Sequence, residues 1–181
     1  MGISSRDDIF LWQNRHPIGK SLNMSEIWAQ EDWVKQSKRI IQSYKNWVGN
    51  DLVNNLSGND LEQAKQLFFA DKVVVSHDTS EDPLINYGNE KTLNLWEAKA
   101  DDLIGMPSRK TAEPMHRDER AKMLEQTSKT GFFQDYKGVR ITSKGRRFFI
   151  HKATIWNLLD EDGLPAGQAA TFSDWTFLNN Q

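Results

Sequence analysis

The sequence predicts a single α+β domain in which helices cover an antiparallel sheet. Three stretches rich in aromatic and β-branched residues lie between residues 131 and 176, separated by turns at Gly145 and Gly163. This is the pattern of a three-stranded antiparallel meander. Two shorter apolar runs, at 72–77 and 83–88, indicate two more strands, and helical patterns fill the rest of the chain. We therefore expect five strands in the order β-β-α-α-α-β-β-β.

Composition excludes several classes of protein. The chain has 181 residues, a formal net charge of -2 and no cysteine. Without cysteine there is no disulfide, no thiolate nucleophile and no Cys-ligated zinc. The chain contains no run of 18 apolar residues and no secretory apolar segment at its start, so we expect a cytoplasmic protein that does not bind membranes. The near-neutral charge gives no reason to expect nucleic-acid binding.

The first part of the chain divides into an N-terminal arm, 1–24, and a helical extension, 25–70. Asn23 resembles a helix cap, and Ile27, Val34 and Ile41 recur every seven residues up to Val48. This apolar side is expected either to pack on its own domain or to form a homodimer. A second helix is expected from an N-cap at Asp60.

The following segment, 71–178, carries the predicted sheet. Asn89 is expected to cap a helix that runs through Trp96 and Glu97. Pro114 suits the first turn of a long helix that ends near Thr130, before Gly131.

The middle strand of the meander does not alternate cleanly between apolar and polar residues. A one-residue slip between Ile150 and Ala153 would place Phe148, Ile150, Ala153 and Ile155 on one face. We therefore predict a β-bulge near His151 and Lys152.

With this order in view, residues 72–176 resemble a PAS domain. The segments that carry the resemblance are LINYGN (84–89), DLIG (102–105), HRDER (116–120), SKGRRF (143–148) and DEDG (160–163). The resemblance implies a five-stranded antiparallel sheet flanked by helices, often with a ligand cavity between the sheet and the long helix. It also implies frequent dimerisation through an N-terminal helix. Without cysteine, a light-sensing flavin–cysteinyl adduct is excluded.

A narrower resemblance is to stand-alone bacterial MEKHLA proteins, a PAS-related family. It covers about residues 26–178, and the segments MPSRKTAEP (106–114), VVSH (74–77) and IWNL (155–158) carry it. Plant members end in this domain after a homeodomain and a lipid-binding module. Neither module is present in this sequence, so a DNA-binding role does not carry over.

Candidate site residues follow from position and side-chain chemistry. Those expected to face a cavity are Trp96, His116, Tyr136, His151 and Trp156. Histidine near the start of the long helix is an axial ligand in some haem-binding PAS proteins, but similar residues commonly occur there as caps, so haem is not expected at His116 and the cofactor stays unknown. His77 is expected to form a turn hydrogen bond. Four basic residues, Arg140, Lys144, Arg146 and Arg147, are expected to keep an exposed hairpin soluble.

No catalytic constellation and no metal-ligand spacing is present, so we expect a non-enzymatic protein without a metal. The leading hypothesis is a sensory domain with a small-molecule cavity between the sheet and the long helix. The alternative is a protein-interaction or dimerisation module with a filled core and no ligand. The ligand and the downstream partner cannot be read from the sequence.

Overall fold

This computed structural model describes residues 24–179, apart from the side chains of residues 24, 25, 114–116 and 119. Residues 1–23 of the predicted N-terminal arm lie outside the described part. The helices are α1 (Glu31–Val48), α2 (Asp60–Phe68), α3 (Glu90–Leu95), α4 (Ala100–Leu103) and α5 (Pro114–Thr130). The strands are β1 (Val73–His77), β2 (Ile85–Gly88), β3 (Phe132–Ile141), β4 (Arg147–Leu159), β5 (Pro165–Phe172) and β6 (Trp175–Phe177). Short 3-10 helices cover Met24–Ala29 and Ser108–Thr111.

The strands form one antiparallel sheet in the order β2-β1-β5-β4-β3, and β6 pairs with β4. The predicted α+β class is confirmed, with one more strand than expected. β4 is 13 residues long, whereas β5 has only 8 residues and covers the second half of it. β6 continues in the same register along the first half of β4. A break at residues 173–174 separates β5 from β6. The two strands therefore pair one after the other along the same side of β4.

The predicted bulge in β4 is confirmed. Tyr136 pairs with Ala153 and Gly138 pairs with Ile150, so β4 advances three residues where β3 advances two. The extra residue lies at 151–152. It brings the apolar residues of β4 on either side of the bulge to the same face, where they form one buried cluster.

One face of the sheet is covered by α1 and α2. Trp33, Ile40 and Ile41 of α1 pack in one cluster with Trp156 and Leu158 of β4. The apolar side of α1 is therefore buried against its own sheet, which is one of the two arrangements expected from the sequence.

Two helix starts differ from the sequence prediction. α1 begins at Glu31 rather than at Asn23, because Gln30 has an extended backbone (φ -69°, ψ 145°) that separates α1 from the preceding 3-10 helix. The N-cap of α2 is Asn59 rather than Asp60. Its side chain accepts a bond from the Glu62 amide, and the Glu62 carboxylate accepts one from the Asn59 amide, which together form a capping box.

The opposite face is covered by α5, which packs on it lightly. Thr127 is the only buried residue among the side chains of α5 that the structure describes, and Met123 and Leu124 are half-buried. Two side chains of the sheet hold the second half of the helix, since Gln168 donates to the Leu124 carbonyl (3.1 Å) and Asn157 donates to the Thr127 carbonyl (3.0 Å). The predicted helix ends at Pro114 and Gly131 are confirmed.

Candidate functional site

A cavity of about 80 Å³ lies between the sheet and α5. Much of its wall is apolar and comes from Met123, Leu124, Ile150, Ala153, Ile155 and Phe172. This volume is well below the roughly 300–1,000 Å³ of usual ligand pockets. It suffices for about five water molecules, or for a molecule with a similar number of non-hydrogen atoms.

The polar side of the cavity begins with Arg140 on β3. Only 7% of this residue is exposed. Its guanidinium donates one bond to the Tyr136 hydroxyl (2.6 Å) and one to the Val139 carbonyl (2.7 Å). The Arg140 guanidinium carbon also lies 5.2 Å from the centre of the Tyr136 ring, within the range of a cation–π contact. Arg140 and Tyr136 therefore form one hydrogen-bonded unit of the wall.

Gly138 makes this arrangement possible. Every second residue of a strand points to the same face of the sheet. On β3, opposite the bulge in β4, this places Tyr136, Gly138 and Arg140 on the cavity side. A Cβ at position 138 would lie 2.4 Å from the Tyr136 hydroxyl oxygen, closer than non-bonded atoms can approach. Because glycine leaves this space free, the Tyr136 ring lies along the strand and its hydroxyl reaches Arg140.

A second arginine reaches the cavity from α5. Arg120 donates to the Ser108 hydroxyl (2.8 Å), and Ser108 is itself buried. Burial and, as a smaller effect, the positive charge of Arg140 lower the pKa of Arg120 to about 10, and Tyr136 and Asp82 oppose the lowering. Arg120 therefore remains charged at neutral pH. Neither guanidinium forms a salt bridge with a carboxylate among the side chains that the structure describes.

His77 completes the polar side at the end of β1. Its Nδ1 lies 2.8 Å from the Asp78 carbonyl oxygen, so in the neutral ring Nδ1–H donates and Nε2 is an acceptor. Nε2 is buried and has no hydrogen-bond partner among the described residues. Burial lowers the pKa of His77, and the charge of Arg120 acts in the same direction. The hydrogen bond predicted for His77 is present, and the ring also lines the cavity.

The five sequence candidates are dispersed. Trp96 and Tyr136 line the cavity. Trp156 does not, because it neighbours Ile155 in β4 and projects to the opposite face, where it packs 4.9 Å from Tyr44 between ring centres.

The two histidine candidates also fall away from the cavity wall. His151 is at the predicted bulge, but its Nε2 lies 2.7 Å from the Thr176 hydroxyl at the β4–β6 edge, and it does not line the cavity. The side chain of His116 lies outside the described residues.

Sequence reasoning missed both arginines of the cavity. Arg140 was assigned to the exposed basic hairpin together with Arg146. Arg146 does lie at the exposed turn, 3.3 Å from Glu97, whereas Arg140 is buried. The period-two spacing from Tyr136 through Gly138 to Arg140 is the signal that places Arg140 on the cavity side. Arg120 carried no such signal, since its neighbours on α5 are mostly polar.

The described residues show neither a metal-binding cluster nor a membrane-spanning helix. They contain no group of three or more His, Cys, Asp or Glu side chains that would hold a metal ion. No helix in the described part of the chain is long and apolar enough to cross a bilayer.

The comparisons with known proteins agree with this architecture. The family model described as "MEKHLA domain" matches residues 34–177. No curated protein matches the chain.

Solved structures with a similar fold include the PAS domain of a protein from Colwellia psychrerythraea. Its TM-score is 0.54 at 14% identity, and the alignment covers 61% of this chain and 91% of that one. A light-oxygen-voltage domain, studied with a flavin analogue, has a TM-score of 0.51 at 18% identity, with 64% of this chain and 84% of that one covered. At these identities the likeness concerns the fold alone, which is that of PAS domains.

Proposed function

This chain belongs to the MEKHLA family, and from that premise we propose that it is a PAS-like sensory domain that binds a small molecule beneath α5. The observation that carries the proposal is the cavity itself. It is mostly apolar and has polar groups from β1, β3 and α5 on its wall. A few oriented polar groups in an apolar enclosure are typical of ligand sites.

Light packing of α5 supports a sensory role. A ligand that contacts Arg120 on α5 and the Tyr136–Arg140 unit on β3 at the same time would tie the helix to the sheet. Without a ligand, the first half of α5 is held by individual hydrogen bonds, such as the one that Arg120 donates to the Ser108 hydroxyl. Binding would therefore shift the population of docked and undocked helix, and a partner that reads the outer side of α5 would detect the change.

The proposed activity is non-catalytic. His77 is the ring that would serve as a base in the cavity, and neither of its nitrogens is hydrogen-bonded to a described hydroxyl side chain. A nucleophile with its base is thus not assembled among the described residues. The cytoplasmic location expected from the sequence remains part of the proposal.

The second candidate is a protein-interaction module without a ligand, and the small volume of the cavity favours it. A homodimer through α1 stays a prediction. Because Trp33, Ile40 and Ile41 face the sheet of their own chain, such a contact would have to use the polar side of the helix.

Native mass spectrometry of the full chain, purified from the organism that carries it, separates the two candidates when combined with a visible absorption spectrum. A bound mass, or a Soret or flavin band, would support the sensor. A colourless protein without a bound mass would favour the interaction module.

A cavity-filling variant makes the experiment specific to this site. Ala153 is buried and lines the cavity, so Ala153→Leu is expected to remove the bound mass. The matched control is Ala121→Leu, because Ala121 is exposed on α5. Retention of the bound mass by Ala153→Leu would place the ligand elsewhere.

A further inference from the structure

Two arginines, the buried Arg140 and the half-buried Arg120, form no salt bridge with a carboxylate among the described side chains, which is the least expected feature of the cavity. Buried cations are normally paired, because the loss of hydration is costly unless an opposite charge compensates for it. Arg120 and Arg140 instead lie close enough for the charge of Arg140 to lower the pKa of Arg120, against smaller opposing effects of Tyr136 and Asp82. Their described partners are neutral: a serine hydroxyl, a tyrosine hydroxyl and a main-chain carbonyl.

The groups around the two arginines are suited to an anion. Tyr136 accepts a bond from Arg140, and its own O–H has no acceptor among the described residues. Each guanidinium also retains N–H groups that none of the described bonds uses, since it carries five. Planar guanidinium groups match the geometry of a carboxylate, which accepts two parallel bonds.

From this cluster and the cavity beside it, we propose that the domain binds a short organic monocarboxylate. The carboxylate is held by Arg120, Arg140 and the Tyr136 hydroxyl, and its hydrocarbon part lies against Ile150, Ile155 and Phe172. This inference rests on the proposed function, because it names the ligand class of the same cavity.

Size and polarity select this class among small anions. The volume of about 80 Å³ corresponds to a ligand of about five non-hydrogen atoms. Inorganic phosphate is small enough, but all four of its oxygens require polar partners, and most of the wall is apolar. A dicarboxylate would need a second cationic partner, and the other polar side chains on the wall, such as Ser76, His77 and Gln168, carry no charge at neutral pH.

The test is a titration of the full chain with propionate and with propionamide, which have the same shape but differ in charge. Binding is followed by NMR through the Nε–Hε signals of the arginines and the methyl signals of Ile150 and Ile155. We expect saturable shifts of both sets of signals with propionate, and at least tenfold weaker binding of propionamide. Inorganic phosphate is titrated in parallel and is expected to bind more weakly than propionate.

Variants locate the binding groups. Arg140→Gln and Arg120→Gln are each expected to weaken propionate binding at least tenfold. The matched control is Arg146→Gln, which removes the same charge from the exposed turn and should change affinity by less than twofold. The comparison of acid and amide in the unmodified protein needs no variant, so the proposal stays testable if a variant does not fold.

The possible results separate this inference from the proposed function. Equal binding of propionate and propionamide, tighter binding of phosphate, or a neutral molecule in the native mass spectrum would overturn the monocarboxylate and leave the sensor standing. No bound mass, together with no shift of the cavity signals by any of the three probes, would overturn both.

Discussion

At the scale of single residues, Gly138 determines the chemistry of the cavity wall. Its backbone is ordinary strand, so the requirement for glycine is steric: the Tyr136 hydroxyl occupies the space where a Cβ would project. We expect Gly138→Ala to displace the Tyr136 ring from Arg140 and to reduce the free energy of unfolding by about 1–3 kcal/mol, as for other overpacked sites. Urea denaturation measures the loss, and the Arg140 Nε–Hε signal reports the displacement.

A double-mutant cycle isolates this contact. In a Tyr136→Ala background the ring is absent, so Gly138→Ala should cost much less than it does in the unmodified protein. An equal cost in both backgrounds would mean that the alanine acts through the strand and not through Tyr136.

We expect His77 to make stability depend on pH. Because burial lowers its pKa below the ordinary 6.5, the unfolded chain binds more protons than the folded chain just below that pH. Stability attributable to His77 is therefore present above about pH 6.5 and is lost as pH falls towards the lower folded value. Asp78 opposes the lowering and Arg120 reinforces it.

We expect His77→Gln to lose less stability than the unmodified protein when pH falls from 7.5 to 5.5. Urea midpoints at the two pH values measure this difference. His151→Gln, which removes an imidazole that does not line the cavity, is the control. If His77→Gln and the unmodified protein lose the same stability, the buried ring is not responsible.

The role of a residue was predictable from the sequence where it depends on neighbours in the chain, and was not predictable where it depends on residues far away in the chain. Asn89 was identified as a helix cap, and its side chain does accept from the Thr92 amide, but it also accepts from the Val74 amide of β1 (3.0 Å). Its second role depends on strand pairing, which the local pattern does not contain. Arg140 was misplaced for a similar reason, since burial of a charge depends on the cavity that surrounds it.

At the scale of elements, α5 shows why helix ends were easier to predict than helix faces. Pro114 and Gly131 act through the local backbone, and both ends were placed correctly. The inner face is not evident in the same way, since the apolar Ala121 is exposed and the apolar residues of α5 are too few to define a face. The β4 bulge was predictable because the apolar residues before and after residues 151–152 fall on one face of the sheet only if the strand contains one extra residue there.

The side chains of Gln168 and Asn157 hold the second half of α5 on the sheet. We expect Gln168→Ala to increase amide hydrogen exchange in the part of α5 that follows Leu124 by about threefold to tenfold, since one hydrogen bond contributes about 1 kcal/mol. Gln66→Ala is the control, because Gln66 bonds to the main chain of Ser57 and to no described residue of α5 or the sheet. Unchanged exchange in α5 would show that packing of Met123 and Leu124 holds the helix without these bonds.

At the scale of the whole molecule, the two faces of the sheet have different roles. One face is filled by α1 and α2, with large side chains such as Trp33, Tyr87 and Trp156 in one cluster. The other face holds the cavity and is covered by a helix with a single buried residue among its described side chains. A stable face opposite a lightly packed one allows the ligand side to change without loss of the fold.

The stability of the filled face should come from within one chain. Ile40 is fully buried in α1, so we expect Ile40→Ala to lower the free energy of unfolding by about 2–5 kcal/mol. Leu61→Ala, at a position 45% exposed on α2, is the control and should change it by less than about 0.5 kcal/mol.

Because the partners of Ile40 belong to the same chain, the urea midpoint of each protein should not vary over a hundredfold range of protein concentration. A midpoint that rises with concentration in the unmodified protein would show that a dimer contributes to stability, as mass action requires.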